Sequence, residues 1–225
     1  VFAYNKDGVA SEGAFVSAMP QAGTPLSELA EGTLITVQEN GAPVEFYVAC
    51  QNYEEGLNGA GRVLCVRKDV QSNQVWDAGS VNAYATSDID MWFNGTYKNT
   101  LSSAVQTMIG TTQFYYTPGN GTNTVDTLDR AIFALSLTEI GRNENGANIE
   151  GNTLPTAQLL RSSSPYNNRW TRSPVTTYSS AAWIIIGPTG KGQKTSCSTQ
   201  EGYRPCFTLP STAYVDSNLA LIETA

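Results

Sequence analysis

The chain has 225 residues and a net charge of −7, with 40% apolar and 10% aromatic residues. This composition predicts a globular protein with a substantial core and excludes a disordered chain. The acidic balance also argues against nucleic acid as a partner, because phosphate binding needs clustered lysine and arginine.

The first predicted elements are an arm and a three-stranded meander. Residues 1–24 are rich in Gly and Ala with weak periodicity, which predicts an N-terminal arm or linker, and 25–225 is interpreted as one binding domain. Strands are predicted at 34–37, 44–50 and 62–68. Asn40-Gly41 is the predicted hairpin turn, and Asn58-Gly59 lies in a predicted loop.

Short helices follow in the middle of the chain. Ser87 is the predicted N-cap of a helix that reaches Phe93 and ends at Asn94-Gly95, and Ser102 caps a second helix that Gly110 stops. A strand at 114–116, a turn at 118–121, one buried strand at 129–137 and a helical turn within 154–161 come next. Short helices with strands on both sides predict an α+β fold.

The segment from Trp170 to Pro210 is interpreted as the functional part of the chain. Two rigid strands, at 170–174 and 202–210, bracket a strand at 181–186 and a run of small polar residues. The guanidinium groups of Arg172 and Arg204, one in each rigid strand, are expected to bond backbone carbonyls or a carboxylate such as Asp88 or Asp90. The predicted structural anchors are Trp170, Arg172, Arg204 and Phe207.

Tyrosine among small polar residues is the pattern of antibody paratopes, where it supplies amphipathic contact area at low entropic cost. The strand at 181–186 leaves two alternatives for Trp183, which either points outward as a binding anchor or is covered by a loop. The predicted ligand-binding residues are Tyr166, Asn167, Asn168, Arg169, Thr176, Thr177, Tyr178, Ser179, Trp183, Lys191, Gln193, Lys194, Thr195 and Tyr203.

Charge is unevenly distributed along the chain. Residues 151–210 carry six cations and one anion, a balance of +5, so the rest of the chain carries −7 − 5 = −12. Two interpretations stay open: structural arginines beside solvated lysines, or a mildly basic face suited to an acidic or sugar-like ligand.

Catalytic chemistry finds little support in the sequence. There is no histidine, which removes Ser-His-Asp and Cys-His triads, and no Cys-x-x-Cys pair that would indicate zinc. The acidic pairs Glu54/Glu55 and Asp88/Asp90 could suggest glycoside hydrolysis, but we interpret them as turn and helix N-terminal charge. A Cys197–Cys206 disulfide stays open. We therefore predict a non-enzymatic protein without metal or cofactor.

Several segments carry a resemblance to a domain family abundant in gut bacteria and their phages. They include V-E-F-Y-V-A at 44–49, Y-E-E-G-L-N-G-A-G-R at 53–62, V-N-A-Y-A-T-S-D-I-D at 81–90, W-T-R-S-P at 170–174 and G-Y-R-P-C-F-T-L-P-S at 202–211. The last two are also similar to strands of the C-type-lectin-like superfamily, which includes formylglycine-generating enzymes and phage receptor-binding variable proteins. The resemblance implies a C-type-lectin-like fold.

The same resemblance implies a receptor-binding module displayed on a phage particle or bacterial surface, with a cell-surface protein or glycan as ligand. In such phage proteins, diversity-generating retroelements mutate the stretch between the anchors, and the binding face is expected here within 166–203. Membrane insertion is not expected, because no apolar run approaches the roughly 20 residues of a membrane span. The alternatives are a structural virion or assembly protein that oligomerises through the N-terminal arm, and a copper-dependent oxidase-like enzyme.

Overall fold

Two five-stranded sheets and a few short helices make up the fold of the computed structural model, which describes residues 23–161 and 167–223. This arrangement confirms the predicted α+β class. The helices of the described residues are α1 (Glu55–Asn58), α2 (Asp88–Trp92), α3 (Ser103–Met108) and α4 (Ala157–Arg161).

The first sheet is antiparallel and contains the predicted meander. Asn40 and Gly41 both have positive φ (53° and 73°), the geometry of a tight hairpin turn, and join its first two strands. In order across the sheet its strands are β2 (Leu34–Glu39), β3 (Ala42–Cys50), β4 (Arg62–Arg67), β13 (Pro205–Pro210) and β8 (Ile132–Ala134).

The second sheet carries the stretch that the sequence marked as functional. Adjacent strands of this sheet are antiparallel except β9 (Arg169–Pro174) and β12 (Gln200–Tyr203), which pair in parallel through Arg169 and Gly202. In order across the sheet its strands are β11 (Gly192–Ser196), β10 (Ala181–Ile185), β9 (Arg169–Pro174), β12 (Gln200–Tyr203) and β5 (Gln71–Val75).

Two small ribbons complete the described strands. One pairs β1 (Thr24–Pro25) with β14 (Tyr214–Val215), and the other pairs β6 (Thr112–Tyr116) with β7 (Asp126–Arg130). The predicted arm therefore ends in a paired strand at Thr24, while residues 1–22 lie outside the described residues. One continuous apolar core is shared by both large sheets, and its largest side chains include Trp76, Phe46 and Phe207.

The helix caps were predicted correctly, but the end of the first helix was not. Ser87 accepts the backbone N–H of Asp90 at 3.3 Å, and Ser102 accepts that of Val105 at 3.1 Å. After α2 the chain continues as a π-helical turn (Phe93–Tyr97) and a 3-10 turn (Lys98–Thr100) instead of ending at Asn94-Gly95. The wider turn is accompanied by burial of both Phe93 and Tyr97 in the core.

The prediction of a single strand at 129–137 was wrong. That segment is divided between β7, in the small ribbon, and β8, in the first sheet. The division occurs next to Ile132, whose backbone N–H and C=O both bond the Asn94 side chain, at 3.1 and 2.9 Å. An amide from a distant helical turn thus holds the chain where it changes sheets.

Candidate functional site

Tyr178 and Lys194 are exposed neighbours within the predicted binding stretch. Tyr178 is 61% exposed at the tip of the turn between β9 and β10, and Lys194 lies on the edge strand β11. The Lys194 Nζ atom lies 5.6 Å from the Tyr178 ring centroid and 5.4 Å from that of Trp183. Both distances are within the range of cation–π contacts. We call Thr177, Tyr178, Lys194 and the Gly146 backbone the Tyr178 face.

Trp183 lies beneath this face and is 4% exposed. Its Nε1–H donates to the Gly146 carbonyl at 3.3 Å, and that same carbonyl accepts the Thr176 N–H at 2.9 Å. Of the two alternatives for Trp183, the structure shows the covered one, in which the indole supports the face instead of presenting a free ring. Gly146 has φ of 95°, and a Cβ there would lie 3.2 Å from Lys194 Nζ.

Asn82 holds the Tyr178 turn in place from below. Its side chain is buried, and its Nδ2 donates to the carbonyls of Val175, Tyr178 and Ala181 at 2.8–3.0 Å. Its Oδ1 accepts the Asn120 N–H at 2.7 Å, so the same amide also fixes the neighbouring turn. A side chain that satisfies several backbone groups at once orders the loop that carries the exposed ring.

The other predicted ligand-binding residues divide by exposure. Tyr203 is buried against Trp92, with the ring centroids 4.6 Å apart, and Arg169 is 1% exposed; both side chains are covered in this conformation. Asn168 is half-buried and accepts the Gly187 N–H, and Tyr166 lies outside the described residues. Thr176 and Thr195 are half-buried. The remaining predicted ligand-binding residues are exposed: Asn167, Thr177, Ser179, Lys191 and Gln193.

The anchor Arg172 is fully buried, but its carboxylate partner is neither Asp88 nor Asp90. It binds Glu139 through two bonds, at 2.6 and 2.9 Å, and donates to the carbonyls of Tyr115 and Ala134, each at 2.9 Å. Burial alone would lower the Arg172 pKa, and the Glu139 carboxylate raises it above its ordinary value. Arg172 thus makes the carbonyl contacts expected of it, and its carboxylate partner is Glu139.

Glu150 is a second buried carboxylate beside the same guanidinium. It accepts the Thr117 N–H at 2.6 Å and the Ser173 hydroxyl. Burial raises the Glu150 pKa, while the charge of Arg172 and these hydrogen bonds act against the increase. The strand that carries Arg172 is therefore fastened on both sides to the segment at 139–150, whose loop passes over Trp183.

The second anchor, Arg204, lies where the chain leaves β12 for β13 and so passes from one sheet to the other. Its guanidinium donates to the carbonyls of Leu160 and Lys68 at 2.8 and 2.5 Å, which confirms the expected carbonyl contacts. Burial lowers its pKa to about 10. Arg169 also donates to the Leu160 carbonyl, so both cations meet the last turn of α4, where carbonyl groups carry negative partial charge.

These contacts show which cations of the locally positive stretch reach the surface. Three of the six cations between residues 151 and 210, namely Arg169, Arg172 and Arg204, are buried. Lys191 and Lys194 are exposed on the β10–β11 hairpin, and Arg161 is half-buried. Of these six cations, only the two lysines of this hairpin are therefore exposed.

The acidic pairs have structural partners of different kinds. Asp88 accepts the Ala78 N–H at 2.8 Å, and Asp90 forms an ion pair with Arg130 at 2.7 Å. Glu54 is half-buried at the N-cap of α1, and Glu55, the first residue of that helix, is exposed. Asp88 and Asp90 thus bond different partners, whereas Glu54 and Glu55 both line one cleft beside α1.

Asp90 gives a testable pH dependence. Burial raises its pKa from 3.8 to about 6, with the Arg130 ion pair opposing the increase. The folded protein thus binds this proton more tightly than the unfolded chain, so the contribution is fully present below pH 3.8 and lost as pH rises through about 6. We expect Asp90→Asn to flatten the stability profile across that window, as measured by urea denaturation at successive pH values.

The control for this prediction is Asp129→Asn, which changes an exposed carboxylate on β7. It should leave the slope of stability against pH as in the wild type. An Asp90→Asn variant with the wild-type slope would show that Asp90 is charged throughout the window.

All four cysteines are free thiols, so the Cys197–Cys206 disulfide is not formed. Burial raises the pKa of Cys50, Cys65 and Cys197 to about 12 each. Thiols with such pKa values are poor nucleophiles at neutral pH. Across residues 23–161 and 167–223, no group of three or more Cys, Asp or Glu side chains is placed to hold a metal ion.

Sequence reasoning missed the residues that support the face from beneath. Asn82 and Glu150 are polar residues in segments that read as loops, and nothing in their spacing announces burial. A signal existed for Gly146, because Asn145-Gly146 falls in a loop rich in Gly and Asn, where positive φ is common.

A family model described as Domain of unknown function (DUF6273) matches residues 60–211. The matched segment includes Asn82, the 139–150 segment, both arginine anchors and the Tyr178 face. No curated protein and no solved structure matches the chain. Among the described residues, no helix is long and apolar enough to cross a membrane.

Proposed function

The chain belongs to the DUF6273 family, and from that premise we propose that it is a non-enzymatic module that binds a cell-surface protein or glycan through the Tyr178 face. The single observation that carries the proposal is an exposed tyrosine ring beside an exposed ammonium group, held on a turn that a buried amide fastens. Preorganised aromatic anchors with adaptable polar neighbours are the recurrent design of binding loops.

The proposed architecture is C-type-lectin-like. Supporting this is the position of the two anchor strands, β9 and β13, which lie inside their sheets and are buried along their length. The exposed polar residues among the predicted ligand-binding set lie outside those anchor strands, in turns and on the edge strand β11. A rigid scaffold with function carried by its loops is compatible with extensive change at the face.

The proposed setting is a phage particle or bacterial surface, with retroelement diversification of the stretch within 166–203. Exposed positions such as Thr177, Tyr178, Gln193 and Lys194 could change without loss of the core. Trp183 and Tyr203 are buried, and their replacement would disturb packing. Diversification should therefore concentrate on the first group and spare the second, which natural copies of the gene would reveal.

We expect Tyr178→Ala to weaken ligand binding by at least about tenfold, since central aromatic residues dominate many interfaces. Lys194→Ala should have an effect in the same direction, because it removes the ammonium that contacts the ring. The ligand is first identified by screening the wild-type protein on glycan and cell-surface-protein arrays, and affinities are then measured by biolayer interferometry.

Tyr214→Ala is the matched control, because Tyr214 is also exposed (48%) but lies on β14 in the small ribbon. It should bind as the wild type does. Undiminished binding by both Tyr178→Ala and Lys194→Ala would rule out this face as the binding surface.

A further inference from the structure

A concave site separate from the Tyr178 face lies between the turn that follows β3 and the segment that precedes α4. It encloses about 390 Å³, within the lower range of small-molecule pockets. Tyr53, Tyr115 and Leu154 contribute aromatic and aliphatic lining, while Glu54 and Asn152 contribute polar groups. None of these residues belongs to the Tyr178 face.

The local backbone places the Glu54 carboxyl group at this cleft. Glu54 has φ of 46°, a left-handed conformation that is costly for a residue with a side chain. Gly151 makes room for it, since a Cβ at Gly151 would lie 2.5 Å from Glu54 Oε1. The adjacent Asn52 also has positive φ, and its Oδ1 accepts the Gly61 N–H at 2.9 Å, which holds the turn.

The electrostatic environment of the cleft is negative. The charges of Glu31, Glu139 and Glu54 all act on the Cys50 thiol at its wall. Arg172 is the nearby cation, and it is committed to Glu139 by two hydrogen bonds. Within the part of the chain that the structure describes, Glu54 forms no ion pair.

A positively charged partner would stabilise the ionised form of the Glu54 carboxyl group. Burial raises its pKa, the Glu139 charge raises it further, and Arg172 and the Asn152 N–H act in the opposite direction. A half-buried carboxylate with an unfavourable neighbour and no ion pair would be stabilised by a cation that enters the cleft.

We propose that this cleft binds a small primary amine. The ammonium group bonds the Glu54 carboxylate, and the body of the ligand packs against Tyr115 and Leu154. The adjacent concavity of about 380 Å³ shares Asn152 and Thr153 but contains Arg142, whose charge directs an amine towards Glu54. This site is separate from the proposed receptor-binding function and does not depend on it.

The test compares amines with neutral molecules of the same shape. Cyclohexylamine is titrated against cyclohexanol, and glucosamine against glucose, at pH 7 into the isotopically labelled wild-type chain. At least one amine should give saturable amide shifts at Gly56, Gly151 and Asn152, with a Kd at least about tenfold below that of its neutral counterpart. Equal binding within both pairs, or no binding, would overturn the proposal.

Two variants locate the interaction. Glu54→Gln should reduce amine affinity at least about tenfold, whereas Asp69→Asn, which alters an exposed carboxylate outside the lining of the cleft, should change it less than about twofold. Tyr178→Ala should leave amine binding intact, which separates this site from the Tyr178 face. Unchanged affinity in Glu54→Gln, with circular dichroism showing the fold retained, would also overturn the assignment.

Discussion

Replacement of Arg172 by methionine is expected to lower the free energy of unfolding by about 3–5 kcal/mol, among the largest losses available to a single substitution in this chain. Arg172 and Glu139 are both fully buried, so the variant leaves the Glu139 carboxylate without its cation in the core. The cost includes the burial of an unpaired Glu139 carboxylate in addition to the loss of the Arg172–Glu139 attraction.

Equilibrium urea denaturation measures the effect, and the double variant Arg172→Met/Glu139→Leu identifies its origin. Removing both charges should recover much of the lost stability, because neither partner is then left unpaired. Lys68→Met serves as the control, since the Lys68–Glu45 pair is partly exposed, at 35% and 44%, and should matter little. A midpoint for Arg172→Met equal to that of Lys68→Met would contradict the prediction.

Replacement of Asn82 by alanine is expected to cost about 3 kcal/mol and to loosen the Tyr178 turn. The variant removes the amide from the carbonyls of Val175 and Ala181, which keep only the backbone N–H groups of Tyr178 and Val175 as partners. It also removes the acceptor of the Asn120 N–H. Binding through the Tyr178 face should weaken in the same variant, although Asn82 itself is 1% exposed.

Hydrogen exchange resolves the local effect from the global one. Amides at 178–183 should exchange faster in Asn82→Ala, under conditions where those of β4 remain protected. Asn123→Ala is the matched control, because that exposed amide makes a single bond to the Thr176 carbonyl at 3.0 Å and should cost no more than about 1 kcal/mol. Equal exchange at 178–183 in both variants would show that Asn82 does not hold the turn.

Local sequence patterns predicted those features that depend on local physics. The Asn40-Gly41 hairpin follows from the positive φ values that such a turn requires, and the Ser87 and Ser102 caps follow from their side-chain oxygens. Arg172 and Arg204 were predicted as anchors because a proline follows each of them within two residues in an extended segment, whereas the buried Arg169 was predicted as a ligand-binding residue.

Pairings between distant segments could not be predicted in the same way. Glu139 and Arg172 are 33 residues apart, and Asn82 and Val175 are 93 apart, so no periodicity connects them. Trp183 was ambiguous because alternation along a strand places a side chain on a face but does not say what covers that face. Here the loop that contains Gly146 covers it. Burial of polar residues is a property of the assembled fold.

The ribbon of β1 and β14 has a consequence for engineering the protein. It pairs Thr24 with Val215, so the two ends of the described chain emerge side by side. Circular permutation is tolerated best where the original ends lie close together. A permutant that links these ends with a short glycine-serine tether and opens the chain between Gly121 and Thr122 is therefore expected to retain the native architecture.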